Sequence, residues 1–153
     1  MTAAALKDEL ARLHFLETVI GRLRFYLTSD LAPHAAAISR HLAALESSPA
    51  AGLGNRRSAR PLAAPGLPPM FARRSRRGGM MRFVSAEIYA GLAPRPLHEL
   101  AITAIAHRRG LPVVEPLGAA VEWLAPGLYR GWFLSRALEG VTLWQFLLST
   151  ADP

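Results

Sequence analysis

The chain has 153 residues, a length that fits one ordinary domain, or one small lobe with an extension. It contains no cysteine, which excludes disulfides and thiolate zinc sites, and no apolar run near the ~20 residues that a membrane-crossing helix needs. The formal net charge is +7 and Lys7 is the only lysine among 18 basic residues, so the charge balance favours phosphates, acidic headgroups or nucleic acid as partners. Hydrophobic residues make up 51% of the chain, enough for a core, although many are alanines that bury little area each. Lys7, Asp8 and Glu9 interrupt any secretory leader at the start, and a soluble cytoplasmic protein is the expectation.

Residues 3–28 carry Leu6, Leu10, Leu13, Leu16, Ile20, Leu23 and Leu27 at steps of three and four, the spacing of one helix face. Phe15, Val19 and Tyr26 widen that face, and Thr2 is placed to cap its start. A second helix is expected from Pro33 to Glu46, with Ile38, Leu42 and Leu45 as its stripe. The two are expected to pair as a helical hairpin, an extension over residues 1–50 that covers the next domain; the heptad pattern is too short for a coiled coil. His34 and His41 have no evident third ligand, so no metal site is expected.

Residues 51–69 mix Ser, Pro, Gly, Ala and Arg and read as a linker. A different reading takes 60–64 as a poor strand, Pro65-Gly66 as a turn and 70–73 as a second strand. Gly52 and Gly54 then form a glycine-rich loop whose backbone N–H groups can approach a phosphate.

Order increases downstream. Arg73-Arg74-Ser75-Arg76-Arg77-Gly78-Gly79 is a basic run that can be a solvated surface or a patch for anionic lipid or RNA. Pro96 to Arg109 has a helical apolar face of Leu97, Leu100, Ala101, Ala104 and Ile105. Arg108 and Arg109 suit its C-terminal dipole and Gly110 its cap. Residues 117–124 and 128–134 read as strands joined by Ala125-Pro126-Gly127, with Trp123, Tyr129, Trp132 and Phe133 as hairpin core. Leu138-Glu139-Gly140 follows, and Thr142 is placed to cap a short helix over 143–148.

Strand, basic residues, helix with a carboxylate, strand, turn, strand, connector and helix is the order of a protein-kinase-type small lobe. The motifs Arg76-Arg77-Gly78-Gly79, Glu99, and Gly110-Leu111-Pro112-Val113 with Pro116 make the stretch from 73 to 140 resemble the lipopolysaccharide core kinases of the 3-deoxy-D-manno-octulosonic acid kinase type. The resemblance implies an α+β fold: an antiparallel sheet with one helix over residues 70–141, preceded by the helical hairpin and followed from 142 by the start of a connector helix. It implies ATP and magnesium as cofactors and a lipopolysaccharide inner-core or lipid A precursor as partner. It also implies a cytoplasmic setting peripheral to the inner membrane. In such a lobe a cation on the third strand grips the nucleotide phosphates and a helix glutamate orients it. The resemblance assigns the glutamate role to Glu99, the only carboxylate of its helix, and the cation role to an arginine, whose planar fork can also chelate phosphate. A gapless match from Gly78-Gly79 selects Arg73, and a match through Ala72 selects Arg74; alternation sends the two to opposite faces, and the gapless match is preferred.

The three aspartates, Asp8, Asp30 and Asp152, lie outside this stretch, and His107-Arg108-Arg109 is not a catalytic His-Arg-Asp. The resemblance therefore assigns no catalytic residue and no metal ligand here, with the large lobe missing, and phosphoryl transfer by this chain alone is not expected. Truncated, split and degenerate kinases all fit. The competing expectation is a basic, non-catalytic module binding anionic membrane or nucleic acid through 56–77.

Overall fold

The computed structural model describes residues 2–47, 59–63, 65–75 and 88–138. The first helix, α1, spans Ala3–Arg12, and the Thr2 side chain accepts a hydrogen bond from the Ala5 N–H at 3.3 Å. Leu6 and Leu10 are fully buried on its inner face. The helix does not continue to residue 28, as its leucine spacing predicts. It ends in a six-to-one and five-to-two pair of hydrogen bonds, Phe15 N–H to the Leu10 carbonyl at 3.0 Å and His14 N–H to the Ala11 carbonyl at 2.9 Å. His14 takes the left-handed conformation that this termination requires, with φ 63°. Glycine usually occupies that position, so the stop has no glycine to announce it.

Strands β1 (Leu16–Ile20) and β2 (Leu23–Leu27) follow as an antiparallel hairpin pairing Leu16 with Leu27 and Ile20 with Leu23. Gly21, with φ 60°, takes the first of the two loop positions, where a tight hairpin demands a positive φ. The β-branched and aromatic content of this stretch (Thr18, Val19, Ile20, Phe25, Tyr26) suits strands and overrides the three-and-four spacing. A 3-10 turn over Ala32–His34 leads into α2, Ala35–Ser47. The second helix thus forms where expected. It does not pair with α1: the two lie on opposite faces of the sheet, in separate core clusters. The expected helical hairpin is replaced by helix, strand pair and helix.

The segment also readable as a linker contains β3 (Ala59–Leu62), a turn with Gly66 at φ 79°, and β4 (Met70–Arg74). A two-residue β5, Tyr89–Ala90, precedes the third helix, α3, Arg95–Arg108. The chain then forms β6 (Pro116–Ala125) and β7 (Leu128–Arg136), joined through Gly127 at φ 73°. The result is a mixed α+β fold on one seven-stranded antiparallel sheet, ordered β1-β2-β6-β7-β4-β3, with β5 also paired to β7. The N-terminal hairpin is integral to this sheet because β2 pairs along β6, Tyr26 opposite Ala119. Among the described residues no helix is long and apolar enough to cross a membrane. The expected connector at 139–140 and the helix over 143–148 lie outside the described residues.

Two cores sandwich the sheet. On one face α1 and α3 bury Leu6, Leu10, Leu97 and Leu100 against Tyr26, Val121, Tyr129 and Phe133. On the other, α2 buries Ile38 and Leu42 with Phe25, Met70, Trp132 and Leu134. Helix α3 lies close to β7 because Gly131 has no side chain. A Cβ there would fall 2.6 Å from Pro96 Cγ and 2.9 Å from the Ala120 carbonyl oxygen, one a rigid ring and the other backbone. Gly131→Ala is therefore expected to lower unfolding stability by ~1–3 kcal/mol through overpacking, measurable by urea denaturation with far-ultraviolet circular dichroism. An unchanged midpoint would show that α3 does not depend on this contact.

Candidate functional site

The site is built by strand alternation in β4. Met70 and Ala72 point into the α2 core and are almost fully buried. Phe71 and Arg73 point to the opposite face, the side that carries α3. Arg73 lies opposite Phe133 of β7 in the ladder, and its guanidinium carbon sits 5.6 Å from the centre of the Phe133 ring. That aromatic floor restrains a long side chain that solvent would otherwise leave free. Arg73 Nη2 forms an ion pair with Glu99 Oε1 on α3, so the two residues singled out in the sequence are brought together. Their side chains are 47% and 30% exposed, which leaves the guanidinium open to a solute while one edge is held.

Arg74 takes the other face. It stacks 5.4 Å from the Trp132 ring centre and cannot share a site with Arg73. Arg130 approaches the same indole, at 5.9 Å, and is paired with Glu122 across the β6–β7 ladder. Trp132 and Phe133 are buried and Trp123 is half-buried against the core under α1 and α3, which fits hairpin core better than an open base-stacking platform. Gly52 and Gly54, the Arg76-Arg77-Gly78-Gly79 run and Glu139-Gly140 lie outside the described residues.

Glu99 depends on how α3 is fixed. At its start the Tyr129 hydroxyl accepts a hydrogen bond from the Arg95 N–H at 2.9 Å, satisfying one of the helix's orphan donors. At its end Gly110, with φ 73°, closes a Schellman motif: Leu111 N–H to the Ala106 carbonyl at 3.1 Å and Gly110 N–H to the His107 carbonyl at 3.0 Å. Arg108 Nη2 donates to the Leu13 carbonyl at 2.7 Å and ties this end to the close of α1. Where β6 begins, Glu115 is held by Arg136 of β7 in a two-pronged ion pair. The hydrogen bond from Arg136 is the main cause that keeps the Glu115 carboxyl below its ordinary range. Tyr129 as the anchor of α3 and Phe133 as the floor of Arg73 were not singled out for these roles in the sequence. Their aromatic character gives the only cue, and it cannot distinguish an anchor from filler.

Chemically, the arrangement presents one oriented, half-exposed guanidinium, suited to an anionic oxygen cluster such as a phosphate. Among the described residues no group of three or more His, Asp or Glu is placed to hold a metal ion. Comparison of the chain with models of protein families, with curated proteins and with solved structures finds no match.

Exposed ion pairs contribute ~0.2–1 kcal/mol, so a double-mutant cycle of Arg73→Ala and Glu99→Ala is expected to give a stability coupling in that range, weaker in high salt. A coupling of zero in low salt would show that the pair does not persist in solution. Glu115 follows a pH rule. Its folded-state pKa is depressed, so the stability it contributes is present above its unfolded value and is lost as pH falls through the folded value. Arg136→Gln is expected to flatten the acid limb of a melting-temperature profile; an unchanged slope would contradict it.

Proposed function

We propose that this chain is the nucleotide-holding small lobe of an ATP-dependent sugar kinase of the lipopolysaccharide inner-core (3-deoxy-D-manno-octulosonic acid) type. The observation that carries the reading is the Arg73–Glu99 ion pair. A small lobe of the protein-kinase kind needs one cation on a sheet strand, directed by a glutamate on the helix that follows it. Here β4 supplies the cation and α3 the glutamate, and the β6–β7 hairpin comes next in the chain. Further support comes from the sheet order, in which β7 lies between β4 and β6 and so brings the site strand beside the hairpin that α3 covers.

In this role Arg73 grips the phosphates of ATP, Phe133 backs its guanidinium, and Glu99 keeps the fork pointed along the open flank of β4. The polyphosphate fits the exposed edge of Arg73. Magnesium finds no three-carboxylate or histidine cluster among the described residues, so no step is assigned to it here. The acceptor, an inner-core sugar of a lipid A precursor, would be brought by a large lobe, at the cytoplasmic side of a membrane. The described residues are credited with holding the nucleotide and not with transferring the phosphoryl group.

The test is titration of Mg-ATP and a non-hydrolysable analogue into wild type, Arg73→Ala, Glu99→Ala and Arg74→Ala, read by isothermal calorimetry. Saturable binding is expected for wild type and Arg74→Ala, with at least a tenfold loss in the other two. Absence of binding both here and in a version extended into any downstream open frame would sink the proposal. Salt-sensitive retention on anionic vesicles or RNA, without nucleotide binding, would point to a basic binding module instead.

A further inference from the structure

A concavity lies on the same face of the sheet as Arg73 but against β2 and β6, bounded by the start of α1 and the first turn of α3. Its volume is about 350 Å³, within the ~300–1,000 Å³ range of small-molecule pockets. Leu92 and Trp123 give it an accessible apolar wall over a buried floor of Leu6, Leu97 and Val121, and Lys7 and Arg24 bring cationic groups to it. Lys7 Nζ and Arg24 Nη1 approach the same oxygen, Oε1 of Glu17, at 3.5 Å and 2.9 Å. Two cations thus share one carboxylate, and a positive charge remains in excess. Both cationic side chains keep substantial exposure, 42% and 37%. The Tyr26 hydroxyl is closed off from solvent beside Glu17 and Arg24. Burial first, and then the Glu17 carboxylate beside it, push the Tyr26 phenol up to about 12.

We propose that this cavity binds a small amphipathic anion, a medium-chain carboxylate, with its alkyl chain along Leu92 and Trp123 and its head on the edges of Lys7 and Arg24 that Glu17 leaves open. The apolar walls supply affinity in proportion to the area they remove from water. The excess cationic charge selects an anionic head over a neutral one and supplies the second anion that Lys7 and Arg24 lack. This site does not use Arg73 or Glu99 and stands or falls apart from the nucleotide reading.

The experiment is calorimetric titration of the full 153-residue chain with decanoate, 1-decanol and acetate, below micelle-forming concentrations. Decanoate is expected to bind saturably with one site, with the alcohol and acetate at least tenfold weaker. Ala3→Trp, at the cavity wall, is expected to abolish binding by filling it, and Lys7→Gln with Arg24→Gln to bring decanoate to the level of the alcohol. Arg73→Ala is expected to bind decanoate as wild type does. Circular dichroism melting confirms that each variant is folded. Equal affinity for the alcohol and decanoate, undiminished binding by folded Ala3→Trp, or no binding by folded wild type would each overturn the proposal.

Discussion

The close approach of α3 to β7, at Pro96 against Gly131, is the contact on which the rest of the arrangement depends. A helix packed on a sheet usually stands off by the length of the side chains between them. Here one side chain is absent and the proline ring occupies its place, because a Cβ at Gly131 would clash with both Pro96 and the Ala120 carbonyl. The first turn of α3 is therefore fixed in depth. The Tyr129 hydroxyl on the Arg95 N–H and the Schellman closure at Gly110 then hold its two ends. Glu99 lies one turn into this helix, so its reach toward β4 follows from that docking.

Burial of the sheet on both faces is the second organising condition. With α1 and α3 on one side and α2 on the other, the central strands carry apolar residues in consecutive positions: Phe25, Tyr26 and Leu27 are all buried, as are Ala119, Ala120 and Val121. Such strands do not alternate in polarity, and a run of leucines and aromatics within them is compatible with a helix face. Strand β4 keeps its alternation because α3 packs over β6 and β7 and leaves its flank of β4 open. Met70 and Ala72 are buried while Phe71 and Arg73 stay exposed. That open flank is where Arg73 and Glu99 meet.

An ion pair this exposed contributes little to folding. Its consequence is directional: a guanidinium resting on Phe133 and held by Glu99 has fewer orientations open to it than a free arginine side chain. Arg74 is the instructive contrast. It has the same charge, one residue along the same strand, but faces Trp132 on the side of the sheet covered by α2. The two arginines thus differ in surroundings and not in chemistry, and only one of them has a carboxylate on α3 within reach.

Local signals in the chain determined the parts whose cues are local. The 95–108 helix is bounded by an early proline and by Gly110, whose positive φ a glycine accepts readily. The 116–136 hairpin is marked by Pro126-Gly127 between apolar runs, and Thr2 announces the first cap. Glu99 was legible as the sole carboxylate of its helix, and Arg73 as one of two neighbouring choices. Tertiary structure alone decided three matters. It ended α1 at His14, a non-glycine in the left-handed conformation, and turned residues 16–27 into strands by pairing β2 with β6. It separated the two N-terminal helices by placing the sheet between them. And it put Arg73, and not Arg74, beside Glu99, because which face of β4 looks toward α3 depends on the register with β7 and on the depth at which Gly131 lets the helix settle, neither of which is encoded within reach of the arginines themselves.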